Sequence, residues 1–279
     1  MIRLLVDTAS DISINNTDNI KVVPLSVTIN DKTYLDGYEL GHDEFYEMLT
    51  TSNTFPKTSQ PSPQAYVEAF EEAKEAGDIL LCILLSSGVS GTYQSAVLAK
   101  SIVEYDNIYI IDSLTGAYGI KLLVDEALKL IKEGKTIEEI VEQIEVLKSR
   151  TRVYLSVDTL DYLSRGGRLD KKAAVIGNLV KMKPIINVTR EGTIGVVNKA
   201  VGIVRTINSL IDIVNNEGVD TNYPFYTIVT TGSSNVEKLE KKLIANGTVV
   251  TGRNQLGPVV GTHVGPEGFG VIFIAKKEA

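Results

Sequence analysis

The sequence predicts an α/β fold of two units, and three observations carry that prediction. Short apolar runs alternate with helical patterns through the first half, as they do where a mostly parallel, doubly wound sheet is covered by helices. One run, "DILLCILLS" at 78–86, is apolar nearly throughout, the mark of a strand with no wet face. The second half changes character: a hairpin pattern and glycine-broken strands predict a mixed sheet with helices. The expected units are 1–152 and 153–279, with no flexible linker between them.

Taken in order, "IRLLVDT" (2–8) reads as the first strand. "IKVVPLSVTIN" (20–30) and "KTYLDG" (32–37) follow as strands, and Pro24 puts the former at an edge or a bulge. "HDEFYEML" (42–49) is a short helix. "TSQPSPQAYVEAFEEAKEAG" (58–77) opens with turn chemistry and continues as a helix that Gly77 ends. After the buried strand come a helix (90–105), the strand "NIYIIDS" (107–113) and a helix (116–134) closed by Gly134. Thr136 and Glu139 have capping-box spacing at the start of another helix (136–150).

The second unit begins with the strand "RVYLSVDT" (152–159) and a helical segment (160–180). A hairpin (183–200) follows, turning at Glu191-Gly192. Then come a helix (202–218), a strand (225–232) and a helix (235–247). The tail (248–275) reads as strands broken by glycines, with His263 in a loop.

Composition excludes several function classes. The chain of 279 residues has a net charge of −7 and no block of Lys and Arg, so nucleic acid is not an expected partner. The one cysteine, Cys82, lies in an apolar run and reads as core. No apolar run approaches bilayer length, and the start is too quickly polar for a signal peptide. A cytoplasmic protein is expected. Neither a P-loop nor a dinucleotide fingerprint is present.

The polar turn "SSGVSGT" (86–92) stands between a buried strand and a helix. In open α/β sheets that edge binds ligands, and the helix's free N–H groups face it. Ser90 and Thr92 add hydroxyls, and Gly91 permits close approach to the backbone. The bland reading is a helix cap. The turn is also one residue away from a nucleophile elbow, and Asp112 and His263 follow in hydrolase order. Three further clusters compete for attention: "KTSQPS" with Thr58, the turn "SRGGR" with Arg165 and Arg168, and the glycine-rich stretch around His263. His42 carries no signal, and Asp7, Asp11 and Asp112 lack metal-ligand spacing.

Together these segments resemble the DegV family, the fatty-acid-binding subunits of bacterial fatty acid kinases. The likeness runs from "LLVDTASDIS" through "KTSQPSP", "LLSSGVSGTYQSA", "LDYLSRGGR" and "KPIINV" to "GTHVGPEGFGV". It implies two α/β domains with a long-chain fatty acid between them. The family's carboxylate-binding residues fall on Thr58 and Ser90, with Gly91, Thr92 and His263 beside them. The arginine of the "GGR" turn falls on Arg168, and a basic residue after the hairpin on Lys199, where many members look to have arginine. Arg168 and Lys199 are thereby expected to contact a partner or a phosphate. The resemblance implies a non-catalytic subunit with no metal or cofactor, transient membrane contact, and a separate kinase that phosphorylates the bound acid. Against it stand a Ser90–His263 esterase and a carrier of another small anion.

Overall fold

The computed structural model describes residues 1–14, 19–169 and 182–276. The chain opens with β1 (Ile2–Asp7), a 3-10 turn (Thr8–Ser10), β2 (Ile20–Val23), β3 (Ser26–Ile29), β4 (Lys32–Leu35), α1 (His42–Thr51), β5 (Lys57–Ser59) and α2 (Pro63–Ala76). It continues through β6 (Ile79–Leu84), α3 (Thr92–Val103), β7 (Ile108–Asp112), α4 (Tyr118–Lys132) and α5 (Ile137–Lys148). The second half holds β8 (Thr151–Ser156), α6 (Asp161–Arg165), β9 (Met182–Val188), β10 (Ile194–Val201), α7 (Ile203–Glu217) and β11 (Tyr226–Val229). It ends with α8 (Ser234–Ala245), β12 (Gly252–Gln255), α9 (Pro258–Val264) and β13 (Phe269–Ile274).

β2, β1, β6 and β7 form a parallel sheet in that order. Its strands are apolar on both sides because both sides are covered. Leu5, Leu80, Cys82 and Leu84 pack on α2 and α3, while Leu4, Val6, Leu81 and Ile83 join the larger core with α4 and α5. That parity follows from the two-residue strand period. The helices stop where the sequence says: Ser62 caps α2 ahead of Pro63, Gly77 closes it with φ +66°, and the capping box of Thr136 and Glu139 starts α5.

The six-stranded sheet runs β10-β9-β8-β13-β11-β12, antiparallel except for β11 with β12. It too is covered twice. Tyr154, Ile185, Val271 and Phe273 face α7 and α8, whereas Leu155, Ile186, Ile228 and Ile272 face the first half of the chain. The hairpin between β9 and β10 turns where expected, with Gly192 at φ +76°.

Four features differ from the sequence reading. The strand expected over 20–30 is two, β2 and β3, which lie in different sheets. Residues 57–59, read as turn, are a strand that completes an antiparallel sheet β4-β3-β5. Three residues are too few to show a period, so only pairing with β3 defines them. The stretch around His263 is α9, not a loop: Pro258 occupies its first turn, and Val260 and Val264 fall one turn apart. Of the helical segment expected over 160–180, α6 is helical and residues 170–181 lie outside the described residues. Among the described residues no helix is long and apolar enough to cross a membrane, and no cluster is set to hold a metal ion.

Candidate ligand-binding site

A cavity lies between the inner face of the six-stranded sheet and the carboxyl ends of the parallel strands. It encloses about 870 Å³ of atom-free space, part of it open to solvent. Val153, Leu155, Ile186 and Ile228 line it from the sheet, and Leu85 and Ala117 line it from the other side. Most of the wall is apolar. Thr58, Ser90, Arg168 and His263 are the side chains predicted for a site that do reach it.

Thr58, Arg168 and His263 also line a second depression on the other side, together with Lys57 and Arg165. These three residues are therefore the boundary between an apolar chamber and an outer basin. No carboxylate lines that basin among the described residues. Arg165 stacks 4.2 Å over the Phe55 ring, which packs against Tyr162. Such stacking holds a guanidinium in place without neutralising it.

Each boundary residue is held by a different part of the fold. β5 carries Thr58 opposite Val27 of β3. α9 carries His263 and brings its Nε2 to 2.8 Å from Thr58 Oγ1. α1 buttresses α9: Tyr46 Oη donates to the Leu256 carbonyl at 2.8 Å, and a Cβ at Gly261 would sit 2.5 Å from that same Oη. Glycine is required there by space. The Gly257 N–H donates to Asp11 at 2.9 Å, tying the start of α9 to the 3-10 turn after β1. Arg168 donates from Nε to the Val89 carbonyl at 3.1 Å and from Nη1 to the Gly166 carbonyl at 2.6 Å. It thereby braces the turn that carries Ser90.

That turn is pinned at its other end as well. Both oxygens of the buried Asp7 accept backbone N–H groups, Ala9 at 3.0 Å and Leu85 at 2.7 Å, joining the ends of β1 and β6. The Ser86 hydroxyl donates to the Gly192 carbonyl at 2.8 Å, seating the hairpin tip on the turn. Ser90 Oγ lies 2.8 Å from Thr92 Oγ1 and accepts the Thr92 N–H at 3.3 Å.

Electrostatics at the boundary are unusual. Burial, and then the Arg168 cation, push the His263 imidazole down to about 4. It is neutral at ordinary pH, and its Nδ1 is buried without a hydrogen-bond partner. Deeper in the scaffold three carboxyls sit close together. Burial raises Asp7 and Asp36 to about 7 and Asp11 well above its usual range.

The geometry corrects two expectations, those for Gly91 and Thr92. Gly91 and Thr92 do not line the cavity: Thr92 is buried as the partner of Ser90, and the open side of Gly91 is filled by the Gln60 amide. Lys199 is an exposed residue of β10 that lines neither the cavity nor the basin. The hydrolase triad is not assembled either. His263 engages Thr58, Ser90 engages Thr92, and Asp112 accepts from the Ser87 N–H and hydroxyl and from the Leu114 N–H. Sequence reading missed Gln60, Lys57 and the Tyr46–Asp11 support of α9. Gln60 and Lys57 lie beside Thr58 in one short polar cluster, but nothing local says what they touch.

The model of the family described as "Uncharacterised protein, DegV family" matches residues 1–276. The chain belongs to the DegV family. A DegV domain-containing protein of Caldanaerobacter subterraneus is 35% identical over 279 residues, covering 99% of each chain. Among solved structures, a fatty-acid-binding DegV family protein of Thermus thermophilus superposes with a TM-score of 0.88 at 29% identity, over 99% of both chains. A stearic acid-binding protein from Eubacterium ventriosum gives a TM-score of 0.87 at 27% identity, again over 99% of both. The DegV fold thus extends over the whole of this chain.

Proposed function

We propose that this DegV-family protein binds one long-chain fatty acid between two units, 1–152 and 153–279, and presents its carboxylate to a separate kinase. One observation carries the reading: a mostly apolar chamber that shares Thr58, Arg168 and His263 with a basin also lined by Lys57 and Arg165. An acyl tail fits the first and a carboxylate the second. Each buried CH₂ contributes about 0.8 kcal/mol, so a sixteen-carbon tail offers on the order of 10 kcal/mol before the costs of binding. Fatty acid binding by DegV family proteins of the same fold supports the same assignment.

At the boundary an ionised carboxylate needs donors. With its proton on Nε2, neutral His263 donates to Thr58 Oγ1 and leaves the Thr58 hydroxyl proton free for the ligand. Ser90 supplies a second hydroxyl, and Thr92 orients it. His263 thus acts through Thr58. Arg168, shared by chamber and basin, neutralises charge where a phosphoryl group arrives, with Lys57 and Arg165 around it. The kinase transfers the γ-phosphoryl group of ATP to a carboxylate oxygen, giving acyl phosphate and ADP. The chain itself has no phosphate-binding motif for ATP. Lys199 is left to contact the partner protein from the exposed face of β10. We place the protein in the cytoplasm, in transient contact with membranes.

Native mass spectrometry of the purified protein tests the first half. About one fatty acid per chain is expected, and apo protein that takes up no added palmitate would refute it. Incubation with ATP, with and without a cognate kinase, tests the second half. Acyl phosphate formed by the isolated protein would refute the carrier role.

A further inference from the structure

Thr58 and Ser90 come from different elements, β5 and the turn before α3, so their separation is set by whatever ties those elements together. One side chain does so directly. Gln60, one residue past β5, reaches across to α3 and donates from Nε2 to the Ser95 hydroxyl at 2.9 Å. Ser95 is buried on the first turns of α3, and its N–H donates to the Gly91 carbonyl at 2.9 Å. The other end of the amide lies on Gly91. A Cβ built there would stand 2.0 Å from Gln60 Oε1 and 2.7 Å from its Cδ. Gly91 has an ordinary negative φ of −79°, so the backbone does not require glycine. The Gln60 amide occupies the space that a side chain there would take.

We infer that Gln60 is a positioning residue for the carboxylate site, a spacer between β5 and the Ser90 turn that sets how far apart the Thr58 and Ser90 hydroxyls stand. The inference rests on the fatty-acid reading above. Gln60 sits two residues from Thr58, and Gly91 sits next to Ser90, so the amide acts close to both hydroxyls. The turn has other braces, the Arg168 bond to Val89, the Ser86 bond to Gly192 and the Ser87 bonds to Asp112, but none of them reaches β5. Gln60 is itself largely exposed, so its removal opens no core cavity. Its effect is on geometry, and it selects for the head group and not for the tail.

The experiment compares palmitate with methyl palmitate, displaced against a fluorescent fatty acid, in the parent, Gln60→Ala, Gly91→Ala and the double variant. The ester keeps the tail and lacks the ionised carboxylate. Misplacing both hydroxyls without removing them forfeits part of their hydrogen bonding to the charged group. Gln60→Ala is expected to weaken palmitate roughly five- to ten-fold and methyl palmitate less than about two-fold. Gly91→Ala, which drives the amide out, should match or exceed that loss. The double variant should bind no worse than the worse single one, because the clash is gone. Equal losses for acid and ester would make Gln60 a general packing residue and overturn the inference. So would a double variant whose loss is the product of the two single losses. If the parent binds palmitate and Gln60→Ala is unchanged, the inference falls alone; if the parent binds no palmitate, the fatty-acid reading falls and takes it along.

Discussion

The chamber and its boundary are built by opposite means. The chamber wall comes from regular elements: Leu155 on β8, Ile186 on β9 and Ile228 on β11 project from one sheet face at positions that strand periodicity dictates. The boundary, and Ser90 on its chamber side, come from places where elements end. Thr58 sits on a three-residue strand, Ser90 in a turn, Arg168 past a five-residue helix and His263 in the last turn of a seven-residue one. Wall residues need only be apolar and of fitting volume, so many side chains serve. Boundary residues must place single hydrogen-bonding atoms, so each has its own brace: Gln60 beside Thr58, Thr92 for Ser90, two carbonyls for Arg168, and α1 behind α9. In the proposed function, affinity resides in the wall and orientation in the boundary.

The largest effect that sharpens this contrast is on the wall. Val153→Trp should fill chamber volume and exclude several methylenes of a long tail. At about 0.8 kcal/mol per CH₂, a sixteen-carbon acid should lose on the order of 100-fold in affinity, and a ten-carbon acid much less. Acid and methyl ester should suffer alike. Titration across chain lengths checks this, and a loss independent of length would break the assignment of wall to tail.

A smaller and complementary effect is expected at the boundary. Thr58→Ala and Ser90→Ala each remove one donor to a charged group, which weakens an acid by roughly ten-fold. Length dependence should stay as in the parent. If either variant shifts the preferred chain length instead, the boundary and the wall have been assigned the wrong way round.

The smallest effect separates both regions from the acid cluster behind them. Burial raises the folded-state carboxyls of Asp7 and Asp36 from 3.8 to about 7. A carboxyl raised on folding stabilises the fold fully below its unfolded value, and that stability drains away as pH rises through about 7. His263 runs the other way. Lowered from 6.5 to about 4, it contributes stability above 6.5 that is lost as pH falls toward 4. The carboxyls, with Asp11 raised beside them, outnumber it. Thermal melts should therefore show a lower Tm at pH 8 than at pH 5.5, and Asp36→Asn should flatten that slope. Palmitate affinity should hold steady from pH 6 to 8 so far as His263 is concerned, since it stays neutral there. A melting temperature that rises over the same interval would contradict the cluster's protonation.

Much of the fold was legible because it is written in local spacing. The apolar run of 79–84, the Gly77 end of α2, the Thr136–Glu139 box and the Gly192 turn are each decided within a few residues. The family, too, is carried by short motifs, and those motifs pointed at Thr58, Ser90, Arg168 and His263. All four line one cavity. The reading was less sound where a residue's role depends on what lies across from it. Gly91, read as ligand access, is room for Gln60, and Thr92 serves Ser90.

The sequence by itself determined most of the strands and helices, which of their faces are apolar, and which turns are rich in small polar residues. Periodicity and capping act over one or two turns of chain, so a single sequence displays them. Only the tertiary structure decided that three residues at 57–59 are a strand, because β3 supplies their hydrogen bonds. Only it decided that Thr58 meets His263, 205 positions away, in a chamber closed by two sheets. A contact of that kind is chosen by the burial of whole faces against each other, and no local pattern of residues records which partner a face will find.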